Sequence, residues 1–495
     1  MSTASPGARP SRGPTRASAL RTAALCEWRI VRGEPGWWAA VALVAVFVAY
    51  AAFNGRARVA ERRRAVEAAH QDQSRRLDAL SKLLARIERG EVPPPDAPYR
   101  DPRNAIYVGR GQGASVASLP DGPLAAAAIG LSDLYPQALK VSAGSKDAFL
   151  FVDEIENPAH LQGGGFDPAF VLVYVLPLFL LAAGYDVLSG ERERGTLALT
   201  ASTSAPLWSV LAGKLLVRAG GLAMSAILAI GLLLVPEALG RGAGGLPPLA
   251  ALTLAIALYA AFWAAVCLFV NSFGRDSAFN AVALVIAWCV LLVIGPAMAN
   301  AAAQVLFPAP ARSDLILAVR EAAIDVERDR DAAEARYREE HGGQREVVAG
   351  DERTRRTLDV TVAADARADA MLADQEARIL RQRRFAERLA YGLPPCLMND
   401  AVAELAGNGH TRWDDYLARV AAYHARWRDF FVSKARSGES LSAEDYGQFP
   451  RFDAASEASA ASRGCIARVA SSLAAIAAMT GVLAIASIRR LSRPG

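Results

Sequence analysis

The sequence predicts an all-α polytopic membrane protein with six transmembrane helices and two large, mainly helical extracytoplasmic segments. Three observations predict it. The 495 residues are 53% hydrophobic. The apolar residues gather in blocks of about 20, the length that crosses a bilayer core, where a soluble domain would spread them at helical or strand period. The Arg, Glu and Asp residues lie between those blocks or directly beside them.

Residues 1–36 form a tail and an interfacial helix. Ser, Pro, Gly and Arg dominate the first 17 residues, a composition that cannot build a core. Leu20, Ala24, Trp28 and Val31 then share one helical face, which suits a helix lying in the membrane interface; an ordinary cytoplasmic helix would show the same spacing. The first span is 37–53, with Trp37 and Trp38 at headgroup level. Too much chain precedes it for a cleaved signal peptide.

Segment 54–165 opens with a charged helix to about Arg89, ended by Gly90 and the Pro93-Pro94-Pro95 run. The second span is 166–188, with Pro177 inside it. A cytoplasmic segment follows at 189–207, then spans three to five within 208–301. Lys214 and Arg218, in the first turns of the third span, are expected to snorkel to the interface. Segment 302–465 reads as an external helical domain. Leu315 to Tyr337 follow three-four spacing, and a second helix is expected from about Thr354 to Tyr391. A third is expected from Thr411, with Asp414 as its capping partner. On that helix Leu417, Val420, Tyr423, Trp427 and Phe430 form a stripe, which burial explains without a ligand. The sixth span is 466–488, and 489–495 is a cytoplasmic tail rich in Arg.

Six spans place both termini on one side. Arg clusters precede the first span and follow the last, so that side is the cytoplasm. Arg56, Arg58, Arg62, Arg63 and Arg64, just beyond the first span, run against this. The rule is weaker for long translocated segments. The formal net charge of +5 thus serves topology, and no nucleic acid partner is expected.

Candidate chemistry is sparse. Gly213-Lys214 is the nearest fragment of a phosphate loop, but Leu215 follows it and Trp208 stands where the first Gly belongs. There is no HExxH or GxSxG. The five histidines and five cysteines have no metal-ligand spacing. Cys396 and Cys465 share one external segment, where a disulfide remains open. No catalytic, cofactor or metal site is therefore expected, and no enzyme activity. The centres of the spans contain no Asp, Glu, Lys, Arg or His, the groups on which a proton or ion relay usually rests. Work must then come from outside the spans, and ATP hydrolysis in a partner is the natural source.

The sharpest signal runs from Gly184 to Leu197. The chain leaves the membrane, alternates acid and base at Glu191, Arg192, Glu193 and Arg194, breaks at Gly195 and restarts at Thr196. A short charged helix of this kind suits docking of a soluble partner. A solvated loop would carry the same charges, since i,i+2 neighbours do not face each other.

This segment resembles the signature of permeases of the ABC type-2 exporter family: an acidic-basic stretch and Gly-Thr after the second span, with a Gly-Lys pair, here Gly213-Lys214, opening the third. Asn157-Pro158, the Gly163-Gly164-Gly165-Phe166-Asp167 entry and Leu405-Ala406-Gly407 look like a subgroup with enlarged external regions. The resemblance implies that Glu191, Arg192, Glu193, Arg194, Gly195 and Thr196 couple to an ATP-binding-cassette ATPase subunit, which binds the ATP. It also implies a second permease subunit, outward transport, and residence in a bacterial cytoplasmic membrane. The N-terminal helix is a candidate second contact with the ATPase. A non-transporting scaffold or signal relay with an external partner-binding domain is the alternative, motivated by the two large external segments.

Overall fold

The computed structural model describes residues 16–129, 136–144, 166–202, 205–240, 244–308, 377–453 and 460–492, with scattered positions between 317 and 373. The expected helix over Leu315–Tyr337, its Gly342-Gly343 stop, Asn157-Pro158 and Gly163–Gly165 lie wholly or mostly outside these residues. Among the described residues, six helices are long and apolar enough to cross a membrane: span 1 Pro35–Glu88, span 2 Pro168–Glu193, span 3 Leu207–Gly240, span 4 Leu246–Asn271, span 5 Ser277–Leu306 and span 6 Cys465–Leu491. The protein is an all-α polytopic membrane protein.

Span 4 is central, with 61% of its apolar window buried, against 11% for span 5. Its Tyr259 and Trp263 are fully buried. Pro177 in span 2 cannot donate to the carbonyl of Val173, four residues back. The chain widens into a π turn over Val171–Val175, and Tyr259 Oη donates to the freed Val173 oxygen at 3.0 Å. Tyr259→Phe is expected to leave that carbonyl without a donor, at a cost of about 1–3 kcal/mol. Thermal unfolding in lipid nanodiscs would register the loss. A second π turn, Val290–Ile294, precedes Pro296 in span 5.

Span 1 does not end at the membrane. One unbroken helix of 54 residues continues to Glu88, and Gly90, at φ +74°, turns the chain away. Its outer half is the post on which an extramembrane unit is built. Strands β1 (Ser115–Ser118) and β2 (Ala138–Val141) pair antiparallel. Gln73 on the post accepts from the Val116 N–H at 2.8 Å and donates to Ser115 Oγ at 3.2 Å. The helix His410–Ser437 closes over the pair.

The two segments expected to be extracytoplasmic therefore share one core. Tyr416, Val420, Tyr423, Trp427 and Phe431 pack on Ala105, Val108, Ala117, Leu139 and Val141. The stripe expected from sequence is core, rotated slightly: Tyr416 and Phe431 are its buried ends, while Leu417 and Phe430 are half-buried. Buried aromatic polar atoms find partners across the unit, Tyr416 Oη on Ala117 O at 2.9 Å and Trp427 Nε1 on Gly109 O at 3.2 Å.

The Thr411–Asp414 capping pair does not form. Thr411 donates its hydroxyl to Glu404 Oε1 at 2.9 Å, and Asp414 is drawn instead to Arg383 at 2.7 Å. A buried carboxylate seven residues upstream supplies the acceptor that the cap would have been. Leu405-Ala406-Gly407 ends the helix Pro394–Ala406 in a left-handed turn at Gly407, φ +76°. That turn sits against Gly122 of the first segment. Cys396 and Cys465 are separate free thiols.

Candidate functional site

At the end of the bundle opposite the extramembrane unit, span 2 leaves the core and ends in the short helix Ser189–Glu193. Gly195 follows at φ +74°, a left-handed position that favours glycine. The Thr196 N–H and hydroxyl then close on Glu191 O, at 2.9 and 3.2 Å, and a second short helix spans Leu197–Ala201. Helix, turn and helix form a compact protrusion.

Two buried amides hold it at the root. Asn271 accepts from the Leu188 N–H at 3.2 Å and donates to Gly184 O at 3.0 Å. Asn280 donates to Tyr185 O at 3.2 Å and Ser189 Oγ at 3.3 Å. The turn between spans 4 and 5 braces the side. Glu193 accepts from the Ser277 N–H at 2.8 Å, and Arg192 donates to Gly274 O. The protrusion is thereby fixed to spans 2, 4 and 5 together.

The six signature residues are not equivalent. Glu191 points inward and is buried, in an ion pair with Lys214 of span 3. Arg192, Glu193, Arg194, Gly195 and Thr196 lie on the exposed side. Arg194 donates back to Gly190 O at 2.9 Å. Leu199, absent from the signature, is an apolar side chain of the protrusion left 75% exposed.

Behind Glu191 lies a charge cluster that the sequence reading missed. Arg218 Nε reaches Glu27 Oε1 at 2.6 Å, and its Nη1 reaches Asp186 Oδ1 at 3.1 Å. Lys214 Nζ stands 3.8 Å from Glu27 Oε2. Glu27 is 1% exposed. Lys214 and Arg218 thus do not snorkel; only 15% and 17% of their side chains are exposed, because acids from two other elements meet them inside the protein.

Glu27 belongs to the helix Arg16–Val31, which packs along span 3. Its buried face is Ala19, Leu20, Ala23, Ala24, Glu27 and Val31, with Trp28 turned outward. Gly213 permits the contact, since a Cβ there would lie 2.8 Å from Leu20 O and 2.9 Å from Ala23 Cβ. Trp28 meets Trp37 and Trp38 in an edge-on trio beyond the helix end. The signal for the cluster was in plain view: Gly213-Lys214 and Asp186 both fell within the quoted motif. Glu27 is a single acid in an Arg-rich stretch, with no periodicity to mark it.

The molecule is a multi-pass membrane protein with a braced, charged protrusion at one end and a folded unit at the other. The family model described as "ABC-2 family transporter protein" matches residues 23–328, and the chain belongs to that family. It is a permease component of an ABC transporter, and membership implies association with an ABC ATPase subunit. A second model, "Domain of unknown function (DUF3526)", matches residues 312–455. That domain's helix His410–Ser437 shares its core with the earlier strands. No curated protein and no solved structure matches the chain.

Proposed function

We propose that the chain is the permease subunit of an exporter, driven by a separate ATP-binding-cassette ATPase that docks on the Gly184–Ala201 protrusion. The observation that carries this reading is the bracing of Ser189–Glu193. A lever must move the spans when pushed, and this one is bonded to spans 2, 4 and 5 by Asn271, Asn280 and Glu193. Its exposed edge, from Arg192 to Leu199, carries both charges and an apolar tip. Charges of both signs set register, and a desolvated Leu supplies affinity.

The end that carries the protrusion is the cytoplasmic one. Arg21, Arg29, Arg32, Arg275, Arg489 and Arg490 all belong to it, and Arg490 lies 4.0 Å over the Phe273 ring beside the protrusion. Both termini are then cytoplasmic and the extramembrane unit is extracytoplasmic, in a bacterial cytoplasmic membrane. A second permease subunit completes the path, and the ATPases shift its populations through their differential affinity for two states. Export is the direction that the resemblance implies. The chain itself supplies no catalytic step.

The test is purification from the native host in mild detergent. An ATPase subunit should accompany the wild-type protein. Leu199→Glu, on the exposed edge and outside the bracing bonds, should lose it while insertion persists. An ATPase retained in full by that variant would remove the protrusion from the docking site.

A further inference from the structure

Between the membrane bundle and the extramembrane unit lies a cavity of about 410 Å³, within the range that small molecules occupy. Span 2 contributes Val173 and Tyr174, and span 5 contributes Leu292 and Pro296. Both contributions come from or adjoin the two π turns, a distortion often found at functional sites. The opposite wall is polar and comes from the helix Pro394–Ala406, residues 383–390 and Arg468 of span 6.

The charges of that wall do not balance. Arg383 is held by Asp414 at 2.7 Å and by Glu387 at 3.1 Å, and Arg468 also reaches Glu387, at 3.4 Å. The two arginines are thus matched by two carboxylates. Two further carboxylates remain. Among the described residues, the Glu404 carboxylate receives the Thr411 hydroxyl and N–H. Among the described residues no hydrogen bond or ion pair reaches Asp400. An anion entering the cavity would have to displace Glu387 or Asp414 from the arginines. A cation meets Asp400 directly, with Tyr174 among the lining residues.

We propose that this cavity is a binding site for an organic cation, an ammonium or quaternary amine carried on an apolar body, with Asp400 as its counter-ion. The apolar walls of spans 2 and 5 take the body of the ligand and the Asp400 carboxylate takes its charge. This assignment does not rest on the ATPase docking reading, because binding requires no partner, and either can fail alone.

Burial pushes the Asp400 carboxyl up to about 6, with Glu387 and Glu404 acting in the same direction and Arg468 and Arg383 against it. His410 is held below its usual value by burial and Arg383; if it gains a proton at low pH, that charge also opposes a cation. Cys396, pushed up to about 11 by burial, stays neutral throughout. The carboxylate is almost fully ionised at pH 7.5 and only about one-tenth ionised at pH 5.0.

The experiment is equilibrium dialysis of the full chain in zwitterionic nanodiscs, with benzyltrimethylammonium as cation and phenylacetate as anion of similar size. Saturable binding of the cation at pH 7.5 is expected, with affinity about tenfold lower at pH 5.0. Asp400→Asn should lower it at least tenfold at pH 7.5 and abolish the pH dependence, with a Tm no lower than that of the unaltered protein, since the buried charge is removed. If that variant misfolds, the pH dependence of the unaltered protein decides. No saturable cation binding at pH 7.5, binding unaffected by pH or by Asp400→Asn, or tighter binding of phenylacetate would each overturn the proposal.

Discussion

Arg218→Ala is expected to release the N-terminal helix from the bundle and to destabilise the protein by about 3–5 kcal/mol, the range for breaking a buried ion pair on one side. Glu27 is 1% exposed. Without Arg218, among the described residues it keeps Lys214, at 3.8 Å, and Asp186 loses its 3.1 Å partner. The cost is that of leaving buried charge without compensation, so removing both charges should be milder. Glu27→Met with Arg218→Met should recover the part of the loss due to Glu27, since apolar replacement of a buried pair is near neutral, while Asp186 still lacks its partner. Tm in nanodiscs and the rate of proteolysis between residues 16 and 34 measure the two effects. A double variant as unstable as the sum of its singles would show that the two residues act independently.

Leu199→Glu is expected to weaken ATPase docking about 30-fold or more, the loss typical of a central interface anchor, with no change in Tm. Its side chain is 75% exposed and has nothing to lose within the chain. Titration of purified ATPase onto the permease in nanodiscs reads the affinity. Glu191→Lys should behave in the opposite way. Glu191 faces Lys214 across a buried contact, so reversal sets two cations together and unfolds the root of the protrusion. Reversing Glu191 and Glu193 at once would therefore mix a structural lesion with a docking one. Leu199, whose side chain takes part in none of the bracing bonds, is the clean probe.

The bundle was legible in the sequence because bilayer thickness imposes one length on every span, and Pro, Gly and Arg punctuate the ends. The extramembrane unit was only half legible. The period of the aromatic stripe revealed a buried face on His410–Ser437, but not that its partner lies some 300 residues earlier at Ala117 and Leu139. Pairing at such separation leaves no local pattern. The signature segment was visible as charge alternation and glycine. Its division into an inward Glu191 and an outward Arg192–Thr196 edge was not, because that depends on where span 3 places Lys214. Lys214 and Arg218 illustrate the general difficulty. A base at the end of a span reads as a snorkelling side chain until a distant acid is folded against it.

A photo-cross-linking amino acid at position 199, activated in native membranes, tests the docking claim most directly. A cross-linked product containing an ATP-binding-cassette ATPase subunit is predicted, with none from the same group at the exposed Tyr99 of the extramembrane unit. An ATPase captured from position 99 and not from 199 would contradict both the docking site and the orientation of the protein in its membrane.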